Sequence, residues 1–180
     1  MVLNGQQRLP GRIDSQTKTI LRGSRTPRIE GLVSEGAVED SMRVDGITFR
    51  FKPTYEQQLE LERLLEDQQD PFSPWYHAWL TAEEYGGRFG LKPDDYSRVR
   101  EWIVSQGFQV DYVAKSRTHI SFSGSPAQVR KTFGTELHYY QVDGKKRCRL
   151  ERHVGPRPWA GGGDPAAVFR LPRSLRVSLP

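Results

Sequence analysis

Apolar and polar positions alternate along Ile47-Thr48-Phe49-Arg50-Phe51-Lys52, the two-residue period of a strand with one buried face. Pro53 ends that run. Thr54 with Gln57 three positions on spells a capping box, so a helix is predicted to begin there and run to about Gln69. Its inward positions are Leu61, Leu64, Leu65 and Gln68, with acidic residues opposite. Thr81 and Glu84 open a second, short helix by the same logic. A third, capped by Asp94 or Asp95, carries Val99, Trp102 and Ile103 on one face and stops at Gly107. Two strands follow, 108–113 and 118–123, joined by Ala114-Lys115-Ser116-Arg117. Ser125, Pro126 and Gln128 then start a helix that buries Val129 and Phe133 and closes at Gly134. A last strand, 136–142, meets Asp143-Gly144, the signal of a type I′ hairpin turn.

Strand, helices, strand, strand, helix, strand is an α+β order: the split βαβ, ferredoxin-like antiparallel sheet with extra helices after the first one. Aligning the alternations gives one apolar face, made of Ile47, Phe49, Phe51, Phe108, Val110, Tyr112, Ile120, Phe122, Leu137 and Tyr139, which the helices are expected to cover. The opposite face shows Thr48, Arg50, Gln109, Asp111, Val113, His119, Ser121, Ser123, His138, Tyr140 and Val142, of which all but Val113, Ser123 and Val142 make up the eight candidate interface residues. Two readings stand side by side. Antiparallel sheets tolerate one solvated face; Tyr and His in such a patch also suit the core of a docking surface.

The connection Asp70-Pro71-Phe72-Ser73-Pro74-Trp75-Tyr76-His77-Ala78-Trp79-Leu80-Thr81 carries two prolines that bar a helix or a central strand. Its density of aromatic groups is expected to form a buried corner, in which His77 serves packing rather than acid–base chemistry. Residues 1–45 lack sustained periodicity and are expected to be extended or disordered, 46–146 to form the folded domain, and 147–180 to be a basic, disordered tail.

Charge changes the picture only once it is located. Residues 145–180 hold nine Lys and Arg against two acids, while the rest of the chain holds 18 basic and 20 acidic side chains. The net charge of +5 therefore belongs to the tail, which weakens a nucleic-acid reading of the body. Binding of nucleic acid or an anionic surface through the tail remains the alternative function. No run of 18 apolar residues exists to span a membrane, and Met1 to Pro10 shows no apolar signal-peptide region.

Candidate chemistry is sparse. The sequence has no Gly-x-Ser-x-Gly elbow, HExxH, P-loop or GxGxxG, so no cofactor is expected. One cysteine and four scattered histidines do not make a zinc site. Cys148 lies among Lys145, Lys146, Arg147 and Arg149, which would lower a thiol pKa, but no partner His or acid motif accompanies it. The acid pairs Glu83-Glu84 and Asp94-Asp95 suit helix starts.

The pattern D-P-x-S-P-x-Y-H-x-x-L-T at 70–81 resembles the activation propeptide of sedolisin-type, kumamolisin-like serine-carboxyl peptidases. The similarity runs on through Glu83-Glu84-Tyr85-Gly86, Phe89-Gly90, Val99–Ile103, Gly107–Val110, Ile120–Gly124 and Val129–Glu136, about 100 residues in order and spacing. The resemblance implies a non-catalytic α+β domain, as in subtilisin-like protease propeptides. It also implies a secreted peptidase partner that the domain helps to fold and inhibits until acidification. The polar sheet face would then be the docking surface. The segment after the last strand would cross the active-site cleft and be cut. The peptidase domain is not expected in this chain, and the run 147–180 departs from the family's ending, as a truncated or frame-shifted frame would.

Overall fold

The chain order is β1 (Lys18–Ile20), β2 (Val44–Phe51), α1 (Tyr55–Gln69), α2 (Ala82–Phe89), α3 (Pro93–Ser105), β3 (Gln109–Val113) and β4 (His119–Gly124). It continues with α4 (Pro126–Phe133), β5 (Leu137–Val142), β6 (Lys145–Leu150), β7 (Val154–Pro156), β8 (Ala167–Arg170) and β9 (Arg176–Val177). The computed structural model describes residues 13, 18–20, 32–150, 154–156, 167–170 and 176–177. Most of 1–31 and of 151–180, where disorder is expected from sequence, lies outside the described residues.

β2 is the axis of the main sheet, whose order is β3-β4-β2-β8 with β9 also paired to β2, all antiparallel. The alternation read from sequence sets its faces: Ile47, Phe49, Phe51, Ile120 and Phe122 are buried, whereas Arg50 stands in water. The helices α3 and α4 supply the other wall of the core. Phe122 packs on Phe49 and on Phe108 with ring centroids 5.1 Å apart in each case, and Phe108 stacks on Phe133 at 5.6 Å. Burying each such ring stabilises the fold by about 1.5–3 kcal/mol.

The fourth predicted strand does not take its expected place. In a ferredoxin-like sheet it would lie beside the first strand; instead β5 pairs with β6 across Asp143-Gly144, and β8 occupies that edge of β2. Both edges of β5 are already in use. β6 takes one, and residues 35–38 take the other, where Val38 N donates to Leu137 O and Tyr139 N donates to Gly36 O. The hairpin still reaches the core through Leu137 and Cys148, which join Val38 in the main cluster. Its turn residues Asp143 and Gly144 have φ of 53° and 69°, the two positive values a type I′ turn demands.

Three capping boxes form as the sequence predicts, at Thr54–Gln57, Thr81–Glu84 and Ser125–Gln128. The start of α3 differs. Its N-cap is Lys92 without a side-chain cap, and Pro93 fills the first helical position. Proline's fixed φ suits that position, so Asp94 and Asp95 fall inside the first turn. Asp95 is fully buried and its carboxylate accepts from Arg98.

The 70–81 corner is not buried. Phe72 is 96% exposed, Trp79 63% and Trp75 52%. The cause lies one element earlier. α1 packs on α2, and its one buried leucine, Leu64, lies outside the main core cluster, while Leu65 is exposed. Whatever follows α1 is therefore carried away from the core. α2 itself is held close to the β3–β4 turn. Arg117 donates to the Gly86 and Leu91 carbonyls, each at 2.7 Å, and a Cβ on Gly86 would come within 2.9 Å of the Ser116 carbonyl.

Candidate docking surface

Six of the eight sequence-assigned surface residues lie together on the outer face of the sheet. Register pairs Thr48 with Ser121 and Arg50 with His119 across β2 and β4, and Gln109 with Ser123 across β3 and β4. The Thr48 and Ser121 hydroxyls are hydrogen-bonded at 3.0 Å, and the Thr48 hydroxyl also lies 3.2 Å from Gly46 O. Asp111 Oδ1 accepts from the Ser123 hydroxyl at 2.9 Å. Three strands are thereby tied by side chains on the face that the helices leave open.

His138 and Tyr140 do not join them. Both sit on β5, outside the main sheet. Tyr140 is buried in a small cluster with Val142, and His138 is engaged by Ser34 Oγ at 2.7 Å and Glu136 at 3.3 Å. The displacement follows from the hairpin pairing described above.

The face also contains residues that the alternation misassigns or leaves out. Tyr112 is expected inward with Phe108 and Val110, yet it is 54% exposed. The β3–β4 register slips between Val110 and Tyr112, so Tyr112 pairs with Ser121 and Val113 with Ile120. One extra residue in a strand reverses every later side chain, and nothing in the local sequence marks that bulge. Arg43, just ahead of β2, reaches across three strands. Its guanidinium donates to Asp45 at 2.7 Å, to the Ser123 hydroxyl at 2.8 Å and to Gln109 at 3.4 Å, with Asp111 at 3.8 Å. Its only sequence signal is a charge next to a strand start, which is too common to single it out.

The electrostatics of the face centre on His119. It is half-buried, its ring lies 5.6 Å from that of Tyr112, and its Nδ1 is 3.2 Å from the Thr118 hydroxyl. Burial, then the Arg50 charge, hold its pKa below the ordinary imidazole value, so it is neutral at neutral pH. Beyond Arg50 the face ends in a recess of about 440 Å³ lined by Lys52, Tyr85, Phe89 and Thr118 among others.

Cys148 is buried in the core, away from the solvent a reactive thiolate requires. Among the described residues no cluster of three His, Cys, Asp or Glu side chains could hold a metal ion, and no helix is long and apolar enough to cross a membrane. Tyr96, whose pKa burial pushes up to about 12, spends its hydroxyl on the His119 carbonyl at 2.6 Å.

Comparison with known proteins supplies what the geometry lacks. Tripeptidyl-peptidase sed1 of Aspergillus fumigatus is 33% identical over 104 residues, a match spanning 51% of this chain and 16% of that protein. Aorsin of Aspergillus oryzae is 26% identical over 101 residues, spanning 54% of this chain and again 16% of the relative. The similarity thus covers about a sixth of each relative's length. The family model described as the Pro-kumamolisin activation domain matches residues 30–155, a span that includes the sheet face, the caps and the 70–81 corner together. The chain belongs to the Pro-kumamolisin activation-domain family, the propeptide region of sedolisin-type peptidases.

Proposed function

We propose that this domain assists the folding of a sedolisin-type peptidase and inhibits it at neutral pH, docking through the outer face of the β3-β4-β2 sheet. The observation that carries the reading is the family match over 30–155. Two features of the face support it. Its polar side chains are pre-ordered by mutual hydrogen bonds, which lowers the entropy lost on binding. Its His119 is held neutral beside Arg50, so acidification adds charge to a surface already carrying a guanidinium. A contact made at neutral pH then weakens as the pH falls, the sense that release from a peptidase requires. Secretion of the pair follows from the same reading.

Binding of the purified chain to the mature peptidase of the sed1 relative, read by calorimetry at pH 7 and at pH 4, tests this. Tight binding at pH 7, inhibition, and loss of both at pH 4 are expected. Absence of binding at pH 7 overturns the proposal. Arg50→Glu should weaken the complex by about tenfold or more if the sheet face is the contact, the scale of one charge reversal in an interface.

A further inference from the structure

The 70–81 corner does nothing for the core, yet it is built with care. His77 adopts φ of 56°, a left-handed conformation that is strained for a non-glycine residue and clusters at functional sites. Three bonds hold it there: His77 N donates to Gln68 O at 3.2 Å, Trp79 N donates to His77 O at 3.0 Å, and the buried Gln68 amide donates to Ala78 O. The product is a ring array on the surface. Tyr76 stacks on His77 with centroids 3.8 Å apart, and His77 faces Trp79 at 5.8 Å. Trp75 and Phe72 are exposed beside it in sequence, and Leu65 and Leu59 are exposed on α1. Exposed Trp and Tyr held in one fixed geometry are what interface hot spots are made of.

Charge then restricts the partner. Residues 55–84 hold eight carboxylates and one basic side chain, Arg63. Arg88 pairs with Glu60 and Lys115 with Glu83, and a carboxylate excess remains on α1, where Glu56, Glu62, Glu66 and Asp67 are all exposed. Such a rim repels phosphates, which disfavours stacking of these rings on nucleic acid, and it repels anionic membranes. It also opposes a two-fold dimer through this patch, because a two-fold axis sets the patch against its own like charges.

We infer that α1 and the 70–81 corner form a second docking arm, distinct from the sheet face, which seats Trp75, Tyr76 and Trp79 in an apolar recess bordered by Lys and Arg on the peptidase. The inference rests on the function proposed above. It names that partner because the relatives carry the matched stretch as only 16% of their length, so that a much larger body accompanies it in each. Anchoring rings supply the affinity; the acidic rim speeds and orients encounter.

The test compares the full-length chain with Trp75→Ser/Trp79→Ser, and with Arg50→Glu on the sheet face, in titrations against the mature sed1 peptidase at pH 7. Both tryptophans are exposed, so an unchanged urea midpoint is expected and serves as the folding control. The inference expects the double variant to bind ~30-fold or more weakly, the scale of a hot-spot loss. It also expects Glu62→Gln/Glu66→Gln/Asp67→Asn to slow association and to flatten its salt dependence. If the wild type binds, Arg50→Glu weakens it and the tryptophan variant matches the wild type, the arm inference is wrong and the sheet-face proposal stands. If the wild type does not bind, both fall. Should light scattering show a dimer that the tryptophan variant dissolves, the occupant is a second copy and the inference is overturned.

Discussion

The sheet with α3 and α4, and the arm made of α1 and the 70–81 corner, put aromatic residues of similar density to opposite ends. In the first, Phe49, Phe108, Phe122 and Phe133 meet one another at 5–6 Å and exclude water. In the second, Phe72, Trp75 and Trp79 are more than half exposed. The arm is held by polar ties instead: Gln57 donates to Arg88 O at 2.7 Å, and Arg88 pairs with Glu60 across α1 and α2. Aromatic content thus identifies where apolar area is stored, and only the partner surface decides whether it stabilises a fold or awaits a contact.

Truncating each region should separate them most sharply. Phe122→Ala removes a fully buried ring from the middle of the cluster and should cost about 3–5 kcal/mol in urea denaturation, while Trp79→Ser should stay within about 0.5 kcal/mol. A comparable loss at Trp79 would mean that the corner is part of the core after all. The joint between the regions comes next. Gly86→Ala would push a methyl into the Ser116 carbonyl and should cost about 1–3 kcal/mol by overpacking. Hydrogen exchange should show α2 and the 114–117 turn loosening, with β4 unaffected; uniform loosening would mean that arm and sheet unfold as one unit.

The smallest effect is electrostatic. His119 has a depressed folded pKa, so the unfolded chain binds more protons once the pH drops below the usual imidazole value near 6.5. Its contribution to stability is present above about pH 6.5 and is lost as the pH falls through the folded pKa. An NMR titration should place the His119 midpoint below that of free histidine, and His119→Gln should flatten the pH dependence of stability in that window. A midpoint at or above the free value would show that the sheet face does not desolvate the ring.

Local features were legible in sequence wherever they depend on a few neighbouring residues. Each capping box pairs a hydroxyl and an acidic or amide side chain three positions apart, and all three form. The Asp143-Gly144 turn and the inward set of β2 and β4 follow from turn chemistry and period two. Of the candidate surface, Thr48, Arg50, Gln109, Asp111, His119 and Ser121 were readable because they alternate with core positions. His138 and Tyr140 were not, since their placement depends on which edge β5 pairs, a choice made by residues 35–38 a hundred positions away. Tyr112 was lost to a bulge that reverses the alternation midway along β3.

Helix starts, the inward residues of β2 and β4, the α+β class and the family resemblance can all be read along the chain, because capping, period and spacing are local or simply counted. Tertiary structure alone decided the neighbour of β2, the face of Tyr112 and the exposure of Trp75 and Trp79. Those depend on competition for strand edges and for apolar surface between segments far apart in the chain, and no local pattern records which competitor wins.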